Sequence, residues 1–283
     1  PDGQLTLGST AVASTAAELN LLDGKDATNL ALVGKQAGTN FTDSLLLGHT
    51  TTGTLSSATD NFGVGIGSLN ALTSGTHNIA IGSDTLLAAT ASVRNIAIGD
   101  RALKTITGAG NNVAVGTTAL ETTTGGQNSA IGREAGRYIS TGSWNTTFGH
   151  AAGDNITSGD GNVAIGSGSD VASATGDRQL IITGYDGTTT TNWIRGDSSG
   201  NLTFKRNDTG DDNPYVLTLQ TGETDIAVSD VLGSINFQAP DEGTGTDAIL
   251  VAAGIDAVSE GDFSSSNNAT KLSFKTAASE AAA

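Results

Sequence analysis

A chain of 283 residues that is 36% hydrophobic and 4% aromatic, with 39 Gly, lacks the bulk for a large globular core, whereas narrow stacked coils need little. Its net charge of −16 argues against nucleic acid or an anionic membrane as partner, because phosphate binding needs clustered Lys and Arg. The absence of Cys rules out disulfides and thiolate zinc sites, and there is no transmembrane run or basic signal-peptide start.

Residues 1–28 read as a connector. Thr15-Ala-Ala-Glu18 has the capping-box spacing, and Asp23-Gly24 supplies a stop, so a short helix carrying Leu19, Leu21 and Leu22 is expected. One or two turns are too short to stand alone in water, and this segment therefore needs neighbours. The start at Pro1 and the lack of Met lead to the expectation of a processed or incomplete piece of a longer product.

Residues 29–184 rewrite one phrase. With Gly as anchor it recurs at Gly34, Gly48, Gly65, Gly82, Gly99, Gly116, Gly132, Gly149 and Gly166, at steps of 14, 17, 17, 17, 17, 16, 17 and 17. One residue before each anchor stands a large apolar side chain, from Val33 through Ile81, Ile98 and Val115 to Ile165. Two before it the residue is mostly small, as at Ala80, Ala97, Ala114, Ala130 and Ala164. This alternation is that of a strand, and both faces being apolar implies burial on both sides. Larger side chains suit a core, so the Ile/Val face is expected inside each coil. The Ala column is then expected to point out, against another closely packed surface. Four before the anchor stands Asn in seven consecutive repeats: Asn61, Asn78, Asn95, Asn112, Asn128, Asn145 and Asn162. Either these amides form a ladder from coil to coil, or Asn marks a left-handed turn position. Leu69, Leu86, Leu103 and Leu120 add a second core column, and Ser-Gly or Thr-Gly turns follow. The expected architecture is all-β: a parallel β-solenoid of about nine coils of 14–17 residues, rising ~4.8 Å each.

Residues 185–283 lose the Gly period. Short strands are suggested by Asn201–Lys205, Tyr215–Leu219, Gly233–Phe237, Ile249–Val258 and Lys271–Phe274, making a small β-rich C-terminal domain.

Candidate chemistry is sparse. His49, His77 and His150 lie in three different coils with no ligand spacing. Asp154, Asn155 and Asp160 crowd one turn, and Asp208, Asp211 and Asp212 another, but neither has a calcium-loop pattern, so solvated turns are the better reading. Gly63-x-Gly65-x-Gly67 belongs to the repeat and lacks the helix of a dinucleotide site. No Ser/His/Asp arrangement has a strand-turn-helix context, and nothing marks a pair of glycan-cleaving carboxylates. No catalytic, cofactor or metal residue is expected. Thr73, Thr90, Thr107, Thr123, Ser140 and Thr157 form one hydroxyl column five residues before each Asn. The column two residues earlier is mixed, and flat ice-binding faces need two Thr columns, so turn support is the better reading.

Three stretches carry a resemblance. Thr15-Ala-Ala-Glu-Leu-Asn-Leu-Leu-Asp-Gly24 is similar to a phrase of fibre-like structural proteins of marine bacteriophages. The Asn-x-Ala-Ile-Gly phrase resembles the head repeats of trimeric bacterial adhesins, a left-handed parallel β-roll, and similar arrays in phage fibres, although the step here is longer. Gly233-Ser-Ile-Asn-Phe237, Ala253-Gly-Ile-Asp-Ala257 and Leu272-Ser-Phe274 resemble the β-rich segment before the self-cleaving intramolecular chaperone of phage fibres and tailspikes. Ending at Ala283 is compatible with such cleavage and equally with truncation. The resemblance implies an elongated homotrimer on the surface of a virion, in a tail or head fibre, with the Ala column toward the threefold axis. Its expected partners are itself, other virion proteins and a host-surface glycan or protein. A polysaccharide-cleaving tailspike and a cell-surface trimeric adhesin are the alternatives; the first needs an aromatic-lined groove, for which two Trp and three Tyr are poor material.

Overall fold

The computed structural model describes residues 6–7, 10–11, 34–48, 51–205, 216–238 and 251–276, and the expected helix near residue 18 lies outside them. Among the described residues there are strands and turns and no helix. Two compact units form, residues 1–209 and 210–283.

In the first unit, β1 (Thr6–Leu7) and β2 (Thr10–Ala11) make a small antiparallel pair. Then β3 (Gly34–Gly38) pairs antiparallel with β4 (Phe41–Leu47). The step of 14 from Gly34 to Gly48 is thus a hairpin turning at Asn40, in the left-handed region at φ 63°, and not a coil. Fourteen residues are used going out and back, and the solenoid has about eight turns instead of nine. After the short β5 (Ala58–Thr59), each coil contributes one three-residue strand. These are β6 (Phe62–Val64), β7 (Ile79–Ile81), β8 (Ile96–Ile98), β9 (Val113–Val115), β10 (Ser129–Ile131), β11 (Thr146–Phe148) and β12 (Val163–Ile165). They stack in parallel, with Ala80 beside Ala97 and Ile81 beside Ile98. Residue 184 does not end the sheet. β13 (Leu180–Tyr185) pairs parallel with β12, then folds back through β14 (Thr190–Gly196) and β15 (Leu202–Phe204) as an antiparallel end cap.

The anchors are Gly for two reasons. From Gly48 to Gly166 their φ lies between 105° and 138°, where an L side chain is strained. The backbones also approach closely: a Cβ on Gly99 would stand 2.6 Å from the carbonyl carbon and oxygen of Gly116.

The core reverses the expected facing of the strands. Ala80, Ala97, Ala114, Ala130 and Ala164 are fully buried inside their own coils, so they are not an outer, trimer-facing column. The larger neighbours, Ile79, Ile96, Ile98, Ile131, Phe148 and Ile165, point outward and are 36–55% exposed. The reason is cross-sectional. Leu69, Leu86, Leu103 and Leu120 fill the coil from the opposite wall, joined by Leu72, Ile106, Ile139 and Ile156, and leave room on the strand side for little more than a methyl group. The alternation of large and small side chains holds, but in so narrow a coil bulk does not mark the inside.

The Asn column is a ladder, not a series of left-handed residues. Asn78 Nδ2 donates to Asn61 Oδ1 at 2.9 Å, Asn112 Nδ2 to Asn95 Oδ1 at 3.1 Å and Asn162 Nδ2 to Asn145 Oδ1 at 3.0 Å. The left-handed position is the residue just before, as at His77, Arg94, Gln127 and Trp144. Hydroxyls support the turns: Thr73 Oγ1 donates to the Thr90 carbonyl at 3.0 Å and Thr90 Oγ1 to that of Thr107 at 2.9 Å. In the 16-residue step this role passes to Thr124, whose Oγ1 donates to the Ser140 carbonyl at 2.9 Å. Thr123, placed in the column by counting back from Asn128, is buried where other coils carry Leu72, Ile106 or Ile139, because the missing residue lies between it and the Asn.

The second unit is a three-stranded antiparallel sheet, β16 (Val231–Gln238), β17 (Val251–Ser259) and β18 (Thr270–Thr276). Ile235, Ile255 and Phe274 share one register row. In the neighbouring row Asp256 is buried, bonded by Lys275 Nζ at 2.8 Å and Ser234 Oγ at 2.7 Å, and these two groups hold its carboxyl below the ordinary range. Residues 216–219 form no strand.

Candidate functional site

The outward side of the long sheet is the principal candidate surface. Register places Leu47, Val64, Ile81, Ile98, Val115, Ile131, Phe148, Ile165 and Ile182 in one column, continued by Ile194 and Phe204 across the cap. A parallel column runs from Leu45 through Phe62, Ile79, Ile96 and Val113 to Val163 and Leu180, interrupted only by Ser129 and Thr146. Neither column carries a charge. At strand spacing the strip is about 48 Å long, and at two side chains wide it covers on the order of 500 Å², the upper end of what monomeric proteins expose.

Charges gather elsewhere, at the corner following the Gly anchors. Arg101 meets Asp100 at 3.0 Å and Glu121 at 3.4 Å, and Arg137 meets the other Glu121 oxygen at 2.9 Å. Arg133 continues the row to Glu134 at 2.6 Å, and His150 lies 3.5 Å from Glu134. Such half-exposed pairs tie neighbouring coils together at small net gain. Asp154 faces Asp170 of the next coil. Burial first, then sharing a hydrogen bond with Asp170 and repulsion from it and Glu134, pushes the Asp154 carboxyl up to about 6.

Of the first acidic turn, Asp154 faces Asp170, while Asn155 and Asp160 bond the backbone of neighbouring coils. Asn155 Nδ2 donates to the Val171 carbonyl at 2.8 Å, and Asn155 Oδ1 accepts the Val171 N–H. Asp160 Oδ1 accepts the Ser143 N–H at 2.7 Å. One oxygen of each thus serves the backbone of a neighbouring coil, and among the described residues no group of three or more His, Cys, Asp or Glu is placed to hold a metal ion. His77 sits 3.4 Å from Asp60, while His49, Asp208, Asp211 and Asp212 lie outside the described residues. Gly63, Gly65 and Gly67 form a strand and its corner.

Two residues of the ladder escape the repeat pattern. Gln179 stands where an eighth Asn would, and its Nε2 donates to Asn162 Oδ1 at 3.2 Å. At the other end Ser44 Oγ accepts the Asn61 N–H at 2.9 Å. Their spacing of 17 from the nearest Asn was the available signal.

This geometry defines a repeat protein of the β-solenoid class. Compared with protein-family models, with curated proteins and with solved structures, the chain matches none. Among the described residues no helix is long and apolar enough to cross a membrane.

Proposed function

We propose that the chain is a structural fibre subunit of a phage virion, assembled as a parallel homotrimer and serving in host-surface attachment. The observation that carries the reading is the uncharged apolar strip on the outer side of the sheet. Identical chains in register are the simplest cover for it, because each coil then meets its own counterpart along a common axis. The contact assigned to the Ala column passes to Phe62, Ile79, Ile96, Ile98, Ile131, Phe148 and Ile165. The number three and the virion setting come from the resemblance of the Asn-x-Ala-Ile-Gly phrases and of Thr15 to Gly24. Other virion proteins and a host glycan or protein are the partners, and neither nucleic acid, membrane insertion, cofactor nor catalysis is part of the proposal.

A trimeric cell-surface adhesin would use the same strip. Immunogold labelling with antibody against residues 51–205 separates the two: label on virion fibres is expected. Label confined to bacterial surfaces would replace the fibre reading with the adhesin.

A further inference from the structure

The end cap contains a feature that the repeats do not. Each coil strand has three residues and turns away at its Gly, but β13 runs on past Ile182 to Tyr185 before its own turn. The tip of the β13–β14 hairpin therefore projects past the edge of the apolar strip. There Gly184, Tyr185, Asp186, Thr189, Thr191 and Trp193 line a concavity of about 340 Å³.

Its walls are chemically mixed and partly preorganised. Trp193 and Tyr185 are 55% and 51% exposed. The Trp193 indole lies over Gly184, where any side chain would collide with the ring. Trp193 is also the extra residue at the register shift between β13 and β14, so its side chain is aimed by a bulge. Asp186 Oδ1 accepts the N–H groups of Thr189 at 2.7 Å and Thr188 at 2.9 Å, which fix the carboxylate and hold its pKa below the ordinary range. The second carboxylate oxygen remains for a ligand. Tyr185 donates its hydroxyl to the Gly187 carbonyl at 2.8 Å, which pins that ring over the turn.

We propose that this hairpin concavity binds a single pyranose residue of a surface polysaccharide. A sugar ring has an apolar face of C–H groups and a rim of hydroxyls. The exposed indole offers a flat apolar partner to the first, and the Asp186 carboxylate with the Thr189 and Thr191 hydroxyls offers polar partners to the second. The volume lies at the small end of ligand sites, which suits one ring better than a chain. A site this open binds weakly, with a Kd on the order of 1 mM, and gains from repetition on several copies of the chain. The biological setting rests on the fibre reading, but the binding does not.

The full chain carries two tryptophans, so Trp144→Phe leaves Trp193 as the sole indole reporter. Methyl glycosides of glucose, galactose, mannose and N-acetylglucosamine are titrated against its fluorescence, with choline as a cationic comparison. At least one glycoside is expected to saturate. Adding Asp186→Asn, whose amide oxygen can still accept the two turn N–H groups, is expected to abolish that saturation with an unchanged circular dichroism spectrum. No glycoside saturating, saturation by choline alone, or saturation indifferent to Asp186→Asn would each overturn the site. Native mass measured on the same sample keeps the readings apart. A trimer that binds no sugar defeats this proposal alone, and a monomer that binds defeats the fibre reading alone.

Discussion

Asn95 is bonded twice to Asn78 by the same oxygen: its backbone N–H and its Nδ2 both donate to Asn78 Oδ1, each at 3.1 Å. Asn95 Oδ1 is used in the same way by Asn112, at 3.0 and 3.1 Å. The side chain therefore closes a buried hydrogen-bond column in which no coil is self-sufficient. Replacing Asn95 by Ala keeps the backbone N–H bond to Asn78 Oδ1 but removes the Nδ2 bond beside it, and it leaves the buried Asn112 backbone N–H without its acceptor, at a cost of about 2–3 kcal/mol. Urea unfolding is expected to show a lower midpoint, with loss far above that of a surface substitution such as Lys104→Ala.

The anchor column makes a second, sharper demand. Gly99→Ala meets both the positive φ of 128° and a backbone approach of 2.6 Å, which no rotamer can relieve. The expected loss exceeds about 3 kcal/mol, whereas Gly→Ala at a compatible site stabilises by ~0.4–1 kcal/mol. Gly108 has open space around its Cα, and Gly108→Ala is the control that should melt at or slightly above the parent.

Inside the coil, Thr147 takes the place of the inward Ala, and its Oγ1 is buried without a hydrogen-bond partner. The side chain occupies space released by Gly136 and Gly153, which replace the Leu of other coils. Thr147→Val keeps the shape and removes the unsatisfied hydroxyl. It is expected to stabilise by about 1 kcal/mol, read as a rise in Tm.

The Asp154–Asp170 contact predicts a pH dependence of definite sign. Because the folded Asp154 carboxyl is raised to about 6, above its ordinary value near 3.9, the folded chain holds the proton more tightly than the unfolded one. Its contribution is fully present below about pH 4 and is lost as pH rises to about 6. Solvent around this half-exposed pair reduces the effect to about 1 kcal/mol. Other carboxylates titrate in the same range, so the test is a difference: between pH 4 and 7 the parent should lose about 1 kcal/mol relative to Asp154→Asn. Equal pH profiles for the two would count against the contact.

Much of this architecture was legible because repetition multiplies a weak signal. One Asn-x-Ala-Ile-Gly phrase is ambiguous, but stacked copies identify the strand, the corner Gly and the amide ladder together. Facing was not legible. Alternation separates Ile98 from Ala97 but does not say which is inside, and that depends on how far Leu86 and Leu103 reach from the opposite wall. The first anchor misleads for a related reason, since Gly34 shares the phrase while Asn40 reverses the chain. The hairpin concavity at Trp193 lies outside any period, where no column could reinforce it.

Association through the outer strip is the claim on which the functional reading stands. Native mass spectrometry of the parent chain and of Ile98→Glu/Ile131→Glu tests it most directly. Both residues are exposed in the single chain, so the charges should not disturb the coil. Three times the chain mass is expected for the parent and a single chain for the variant, with unchanged circular dichroism. A monomeric parent, or a variant that remains trimeric with the same Tm, would contradict it.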